Sequence, residues 1–223
     1  MSFSLTKGET MKKVCVIAVH PDDETLGCGG AILKHLKRGD EVHCVFVTDG
    51  DETQKELISQ LAKHYGFTTM TRLGLQELKL ADMSLNELVP ALAWSIKKIE
   101  PNVLYIPNRS DAHSDHRAVF EALIACTKAF RFSSVEQILM CEVISETDFN
   151  LGLPEQVFNP NYFVDITDEW EGKKQAMEIC KDQMLPYPLT RSESTMEALN
   201  RYRGSLINVE YAEAFMALKT IVR

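Results

Sequence analysis

Residues 14–24 read VCVIAVHPDDE and set a pattern that the rest of the chain repeats. The first six residues are apolar and mostly β-branched, which is typical of a buried β-strand. The strand ends in one histidine and three carboxylates, which repel one another unless a cation or a solvated cleft absorbs the charge. Residues 26–38 follow with apolar side chains at helical spacing and stop before Gly39. The stretch therefore predicts a strand, an acidic loop and a helix.

Strands and helices alternate along the remainder of the chain. Apolar runs predict further strands at 41–48, 68–73, 103–106, 136–144 and 162–166. Helical spacing predicts helices at 53–65, 84–100, 114–128 and 167–184, and the residues after 184 are predicted to be helical around a break at 186–188. The alternation predicts an α/β fold with a mainly parallel, twisted sheet flanked by helices on both faces.

Length and composition indicate one globular domain. The 223 residues are 45% hydrophobic and 25% charged, which is ordinary for a chain that buries a single core. We assign the domain to residues 13–223 and expect the polar residues 1–12 to be a flexible tail. No apolar run approaches the length of a membrane span.

Charge and cysteine usage narrow the partners and the compartment. The formal net charge is −8 and lysine and arginine do not cluster, which argues against nucleic acid or an anionic membrane as a partner. The six cysteines are scattered, mostly in apolar segments, and none forms a C-x-x-C pair. This pattern favours reduced, buried thiols and a cytoplasmic location.

A second polar cluster, DAHSDH at residues 111–116, follows the predicted strand 103–106. Ligands of such sheets bind beyond the carboxyl ends of the strands, where the strand order reverses. In the common 3-2-1-4-5 order, the first and fourth strands are neighbours at that reversal. The topology therefore predicts that residues 20–24 and 111–116 meet in one crevice.

These two clusters have the composition of a catalytic metal site. A catalytic zinc takes three nitrogen and oxygen ligands and leaves a position open, and such a ligand set also accepts iron, cobalt or nickel. His20 and Asp23 are spaced to bind one ion, and a histidine of the second cluster would complete the set. Spacing alone does not decide between His113 and His116. We expect Asp22 to accept a proton from the attacking water as a general base.

The histidine that does not bind metal has a second expected task. As a cation it would stabilise an oxyanion or protonate a leaving nitrogen, and Asp115 would orient it by accepting a ring proton.

The residues quoted above resemble the PIG-L/LmbE family of zinc-dependent N-acetylglucosaminyl deacetylases. The resemblance is carried by AVHPDDE at 18–24 with LGCGG at 26–30, and by PNRSDAHSDHR at 107–117. Weaker similarity continues at 158–167, 201–204 and 211–215. It implies a Rossmann-like fold and a hydrolase that removes the acetyl group from an N-acetylglucosamine-like sugar or sugar conjugate by attack of metal-activated water.

Carried over by position, the resemblance implies that His20, Asp23 and His116 bind zinc, that Asp22 is the base and that His113 is the cationic partner. Some family members place a tyrosine two residues before the histidine that does not bind metal, to polarise the acetyl carbonyl. This chain has Asp111 there, so tyrosine assistance from that position is excluded.

The sequence also offers candidate substrate-binding residues and alternative functions. Arg72, Arg109 and Asp111, near predicted strand ends, are candidate substrate-binding residues. The expected partner is a small N-acetylated sugar or conjugate, and a homo-oligomer is left open. One alternative is a metal-dependent hydrolase of another small amide. Two alternatives come from other functional classes. In the first, the chain is a nucleotide-binding module that uses the glycine stretch 27–30 at a helix start. In the second, it is a non-catalytic sugar-binding relative, but the intact base and histidine pair argue against this alternative.

Overall fold

A computed structural model describes residues 10–222 of the protein, which are built on a seven-stranded sheet. The strands are β1 (Lys13–Ala18), β2 (Glu41–Thr48), β3 (Thr69–Leu75), β4 (Val103–Ile106), β5 (Gln137–Cys141), β6 (Tyr162–Asp165) and β7 (Ala212–Thr220). The helices are α1 (Asp23–Lys37), α2 (Glu52–Tyr65), α3 (Leu85–Ile99), α4 (Ser114–Ala125), α5 (Trp170–Ile179) and α6 (Glu193–Ser205).

The strand order is β3-β2-β1-β4-β5-β7-β6. Strands β1 to β5 pair in parallel, whereas β7 runs antiparallel to both β5 and β6. The predicted α/β class and the predicted order of the first five strands are confirmed. Because β1 and β4 are neighbours, the loops that follow them open at the same edge of the sheet.

Alternate residues of β1 point into two separate cores, which explains the helices on both faces. Val14, Val16 and Ala18 belong to a core that α1, α2, α5 and α6 cover. Cys15 and Ile17 belong to a second core, which α3 and α4 cover. A central strand buried on both sides has no polar face, so its sequence is a continuous apolar run.

The carboxyl-terminal part departs from the sequence prediction. The predicted helix at 167–184 is shortened to α5 between two 3₁₀ turns, Thr167–Glu169 and Lys181–Gln183. The residues after 184 were expected to be helical, but 212–220 form β7. Apart from Phe215 and Thr220, β7 lacks the aromatic and β-branched residues that favour strands, so its local signal is helical. Pairing with β5 and β6 overrides that preference.

Other expectations concern the tail, the thiols and the membrane. All six cysteines are buried and none forms a disulfide within residues 10–222, in agreement with the prediction. Of the expected tail, residues 1–9 lie outside the described residues. Among the helices of 10–222, none has both the length and the apolar character needed to cross a bilayer.

Candidate metal and catalytic site

Two helix starts bring the polar clusters together. The β1 strand ends at Ala18, and α1 begins at Asp23 with Asp22 at its N-cap position. Strand β4 ends at Ile106, and α4 begins at Ser114 with His113 as its N-cap. Since β1 and β4 pair directly, the two clusters face one another across the crevice, as the topology predicts.

Three side chains converge on one point. His116 Nε2 lies 3.3 Å from His20 Nδ1 and 3.2 Å from Asp23 Oδ2, and the His20 Nδ1 to Asp23 Oδ2 distance is 3.7 Å. In a tetrahedral zinc site with bonds of about 2.0–2.1 Å, neighbouring ligand atoms are about 3.3 Å apart. Asp23 Oδ1 is also buried and has no hydrogen-bond partner among residues 10–222. The donor atoms and this orphan oxygen fit a small divalent cation.

A second triplet, His20, His113 and Asp115, also brings ligand atoms within 4.8 Å of one another. Two of its members already accept backbone hydrogen bonds: His113 Nδ1 accepts the N–H of Asp115, and the Asp115 carboxylate accepts the N–H groups of Leu78 at 2.7 Å and Leu80 at 3.1 Å. The geometry therefore favours His116 over His113 as the third donor, a choice that spacing left open.

Asp111 supports His116 rather than facing the cleft. Its Oδ2 lies 2.7 Å from His116 Nδ1, and its Oδ1 accepts the Thr147 hydroxyl at 2.7 Å. Its side chain is 0% exposed. A carboxylate on the far nitrogen of a ligand histidine fixes the ring and its tautomer. The prediction that Asp111 contacts substrate is therefore corrected, because both of its oxygens are engaged inside the protein.

Asp115 orients a different histidine from the one expected. Its Oδ2 lies 3.3 Å from His20 Nε2, so the carboxylate fixes the ring whose Nδ1 faces Asp23 and His116. The expected hydrogen bond from the His113 ring to this carboxylate is not formed within residues 10–222; the backbone N–H of Asp115 donates to His113 Nδ1 instead, at 3.1 Å.

That backbone hydrogen bond also bears on the charge of His113. A nitrogen that accepts a hydrogen bond carries no proton, so the ring is neutral with its proton on Nε2. Burial lowers the pKa of His113, and the nearby His20 and His116 rings lower it further. The expectation of a cationic His113 is therefore corrected to a neutral ring whose Nε2–H remains a hydrogen-bond donor.

Neighbouring charges strongly shift the pKa values of Asp23 and His116. Burial would raise the pKa of Asp23, but His116 and His20 hold it well below its ordinary value. Burial would lower the pKa of His116, but Asp23 and Asp111 raise it well above its ordinary value. A proton on His116 and a metal ion compete for the same lone pair, so metal affinity is expected to fall in acid.

Asp22 is paired with an arginine that the sequence reading missed. Arg191 Nη1 donates to Asp22 Oδ2 at 2.9 Å, and Arg191 Nη2 donates to Glu146 Oε1 at 3.1 Å. Burial and the adjacent Asp23 raise the pKa of Asp22 well above its ordinary value, and Arg191 opposes them. The acidic cluster predicts that a cation lies nearby, but no local sequence pattern identifies an arginine so distant in the chain.

The two arginines predicted to bind substrate contact other residues. Arg72 is on β3 with its guanidinium 3.8 Å from the Asp49 carboxylate, and its side chain is 40% exposed. Arg109 follows β4 and donates to the backbone oxygen of Glu155. Within residues 10–222 neither arginine contacts His20, Asp23 or His116, and their role in substrate binding stays a prediction.

The glycine stretch is used for packing and not for a phosphate. Helix α1 is kinked at Cys28, and the backbone N–H groups of Gly30 and Ala31 after the kink donate to the two carboxylate oxygens of Glu213 at 2.9 and 2.8 Å. Lys173 Nζ, also buried, lies 2.7 Å from Glu213. A Cβ on Gly30 would come within 2.7 Å of Ile166, so only glycine fits. The N–H groups that a nucleotide would need already bind the protein's own carboxylate, which argues against the nucleotide-binding alternative.

Comparisons with known proteins find a matching family and similar sequences. Residues 15–127 match the family described as PIG-L, GlcNAc-PI de-N-acetylase. "Uncharacterized deacetylase YaiS" of Escherichia coli (strain K12) is 28% identical over 134 residues, which cover 55% of this chain and 72% of that protein. The diacetylchitobiose deacetylase of Thermococcus kodakarensis is 25% identical over 226 residues, which cover 91% of this chain and 82% of that protein.

A solved structure shares the fold over nearly the whole chain. The crystal structure of the conserved protein TT1542 from Thermus thermophilus aligns with a TM-score of 0.76 at 23% identity and covers 96% of this chain and 97% of that one. At this identity the likeness establishes the fold alone.

Proposed function

The chain belongs to the PIG-L (GlcNAc-PI de-N-acetylase) family, and from this premise we propose that it is a zinc-dependent hydrolase that removes the acetyl group from an N-acetylglucosamine-like sugar or sugar conjugate. The substrate class is suggested by the diacetylchitobiose deacetylase that aligns with 91% of the chain. The observation that carries the proposal is the triangle of His20 Nδ1, Asp23 Oδ2 and His116 Nε2, with Asp22 directly beside it.

The three donors would hold the ion, and two further groups would handle the protons. When bound, zinc would polarise the acetyl carbonyl and make water acidic enough to lose a proton near neutral pH. Asp22 takes that proton as the water oxygen attacks the carbonyl carbon. The neutral His113 ring donates its Nε2–H to the carbonyl oxygen as negative charge develops there.

The proton then completes the reaction. As the carbon–nitrogen bond breaks, Asp22 returns its proton to the leaving nitrogen, so a free amine and acetic acid are released, and the acid ionises to acetate in water. A single carboxylate can act first as base and then as acid, and burial, which raises the pKa of Asp22 above its ordinary value, favours its protonated form in the second step. In this scheme Asp111 and Asp115 hold the His116 and His20 rings and do not touch substrate.

Replacing the base tests the proposal. Asp22→Ala is expected to lower acetate release from N,N′-diacetylchitobiose by at least about 100-fold, which is the lower range for a general base, while one zinc per chain is retained. Asp40→Asn is the matched control, because Asp40 is a buried aspartate at the far end of α1. Near-normal turnover by Asp22→Ala would show that Asp22 is not the base.

A substrate panel tests the class of amide. We expect the zinc-loaded protein to release acetate from N-acetylglucosamine or its conjugates and not from N-acetyl amino acids or N-acetylated thiol conjugates. Acetate from the amino acids or thiols alone would replace the proposal with the alternative of another small amide.

A further inference from the structure

Arg191 joins three segments that are distant in sequence. It lies in residues 184–192, the connection between α5 and α6, and its guanidinium bridges Asp22 and Glu146 with one nitrogen on each carboxylate. Its side chain is 18% exposed. Each of the two terminal nitrogens donates to a carboxylate of the protein.

Asp22 needs an external hold because its backbone is strained. It has φ 128° and ψ −26°, a conformation that residues with a Cβ rarely adopt. Its carbonyl oxygen accepts the N–H groups of Thr25 and Leu26, both at 2.9 Å, which anchors the backbone to the first turn of α1. Such conformations persist only where the surroundings over-determine them, and they cluster at functional sites. Arg191 donates a hydrogen bond to the Asp22 side chain.

We propose that Arg191 is a positioning residue for the reaction: it fixes Asp22 through Oδ2 and leaves Oδ1 to take the proton from the attacking water. This inference rests on the proposed function, in which Asp22 is the base. Glu146 holds the guanidinium from the other side, so the arginine is located by two carboxylates and cannot swing with either one alone.

The geometry indicates that Arg191 does more than link two loops. The loop after β5 and residues 184–192 are already linked without Arg191, because the Ser145 and Thr190 hydroxyls lie 2.5 Å apart. A planar fork that meets two carboxylates fixes direction as well as distance, which a lysine cannot do. We therefore expect the loss of Arg191 to affect the chemical step more than substrate binding.

The kinetic test uses the full-length, zinc-loaded protein with N,N′-diacetylchitobiose. Arg191→Ala is expected to lower kcat by about 100-fold, the cost of a misplaced catalytic group, with KM changed less than about threefold. Guanidinium ion in the assay is expected to restore part of kcat. Arg201→Ala is the matched control: Arg201 also bridges two carboxylates, Glu197 and Glu210, but on the surface of α6, and its kcat is expected to be unchanged and insensitive to guanidinium.

A structural readout keeps the inference testable without turnover. Crystals of zinc-loaded Arg191→Ala are expected to show the Asp22 carboxylate displaced while His20, Asp23 and His116 keep their places. Arg191→Lys preserves the charge and is better tolerated by the fold. Its kcat is nevertheless expected to fall by most of the amount seen for Arg191→Ala.

The activities of the Asp22 and Arg191 variants distinguish a failure of the positioning role from a failure of the proposed function. If Asp22→Ala is inactive but Arg191→Ala and Arg191→Lys keep kcat within about threefold, Arg191 has no positioning role and the proposed function stands. The same conclusion follows if Asp22 keeps its place in Arg191→Ala crystals. If Asp22→Ala is itself active, the assignment of the base fails and this inference fails with it.

Discussion

Two histidine–aspartate clusters lie at opposite ends of α1. They contain the same residue types but differ in how completely their polar atoms are hydrogen-bonded. At the carboxyl-terminal end, His35 Nδ1 is 2.7 Å from Asp40 Oδ2, and His35 Nε2 is 3.1 Å from the Tyr105 hydroxyl. Asp40 Oδ1 accepts the backbone N–H of Lys12 at 2.9 Å. Each of these polar atoms has a partner, so the cluster is a closed chain of hydrogen bonds.

The cluster at the amino-terminal end is open. Its ligand atoms from His20, Asp23 and His116 lie 3.2 to 3.7 Å from one another, and Asp23 Oδ1 has no hydrogen-bond partner in the described part of the chain. The neighbouring Asp22 is strained. Lone pairs that converge in this way repel one another unless a proton or a cation lies between them. The two clusters share residue types, and what sets the functional one apart is that its ligand atoms converge without being fully hydrogen-bonded.

The largest expected difference between the two clusters is in metal binding. His116→Ala should lower zinc affinity by well over 100-fold and abolish acetate release, because the loss of a mere supporting partner already costs about 10–100-fold. His35→Ala should keep zinc and activity and lose about 1–3 kcal/mol of stability, since Asp40 and Tyr105 lose their partner. Zinc titration with a competing chelator, together with denaturant unfolding, measures both. Equal zinc loss in the two variants would erase the distinction.

A smaller loss of zinc affinity is expected for Asp111→Asn, because this change leaves the three donor side chains in place. Without the carboxylate on Nδ1, the His116 ring is held less firmly and is less basic. We expect zinc affinity to fall by about 10–100-fold in the same titration. Asp40→Asn, the equivalent change in the closed cluster, should bind zinc as the wild type does. Unchanged affinity in Asp111→Asn would mean that its carboxylate does not tune the ligand.

The strain at Asp22 predicts an unusual order of stability. Asp22→Gly and Asp22→Ala both remove the carboxylate, but only alanine keeps a Cβ at φ 128°. Strain of about 1–3 kcal/mol outweighs the backbone entropy of glycine, about 0.5–1 kcal/mol, so the glycine variant should be more stable by about 1 kcal/mol. Urea unfolding of the two proteins compares them directly. A more stable alanine variant would show that the conformation is not strained.

The smallest expected effect concerns the closed cluster and depends on pH. Burial would raise the pKa of Asp40, but hydrogen bonds from His35 and the Lys12 N–H hold it below its ordinary value. A depressed carboxyl pKa stabilises the fold above the unfolded value of about 3.9, and this contribution is lost as pH falls through the folded value. Asp40→Asn should therefore cost about 1 kcal/mol at pH 7 and progressively less below about pH 4. A cost that does not vary with pH would contradict this assignment.

The sequence was sufficient for the central part of the fold and for the meeting of the two motifs. The apolar run before His20 and the short one before Pro107 identify two buried strands, and the rules of parallel sheets make them neighbours. Strand β7 was missed because its Ala, Glu, Leu and Lys residues favour a helix, and only pairing with β5 and β6 reveals it.

The roles of supporting residues could not be read from spacing. Asp111 and Asp115 differ by four positions and have the same side chain, yet one contacts His116 and the other His20. Which of them does so depends on side-chain directions at the start of α4. Arg191 has no local signal at all, because its partners lie on the loops after β1 and β5. Long-range polar contacts of this kind depend on the folded backbone.

Anomalous diffraction at the zinc edge, from crystals of the protein loaded with one equivalent of zinc, would locate the ion among these side chains. The expected result is a single peak about 2.0–2.1 Å from His20 Nδ1, Asp23 Oδ2 and His116 Nε2, with Asp111 still bonded to the His116 ring. A peak bound by His113 and Asp115 instead, or zinc only at surface sites, would contradict the metal site on which the proposed deacetylase depends.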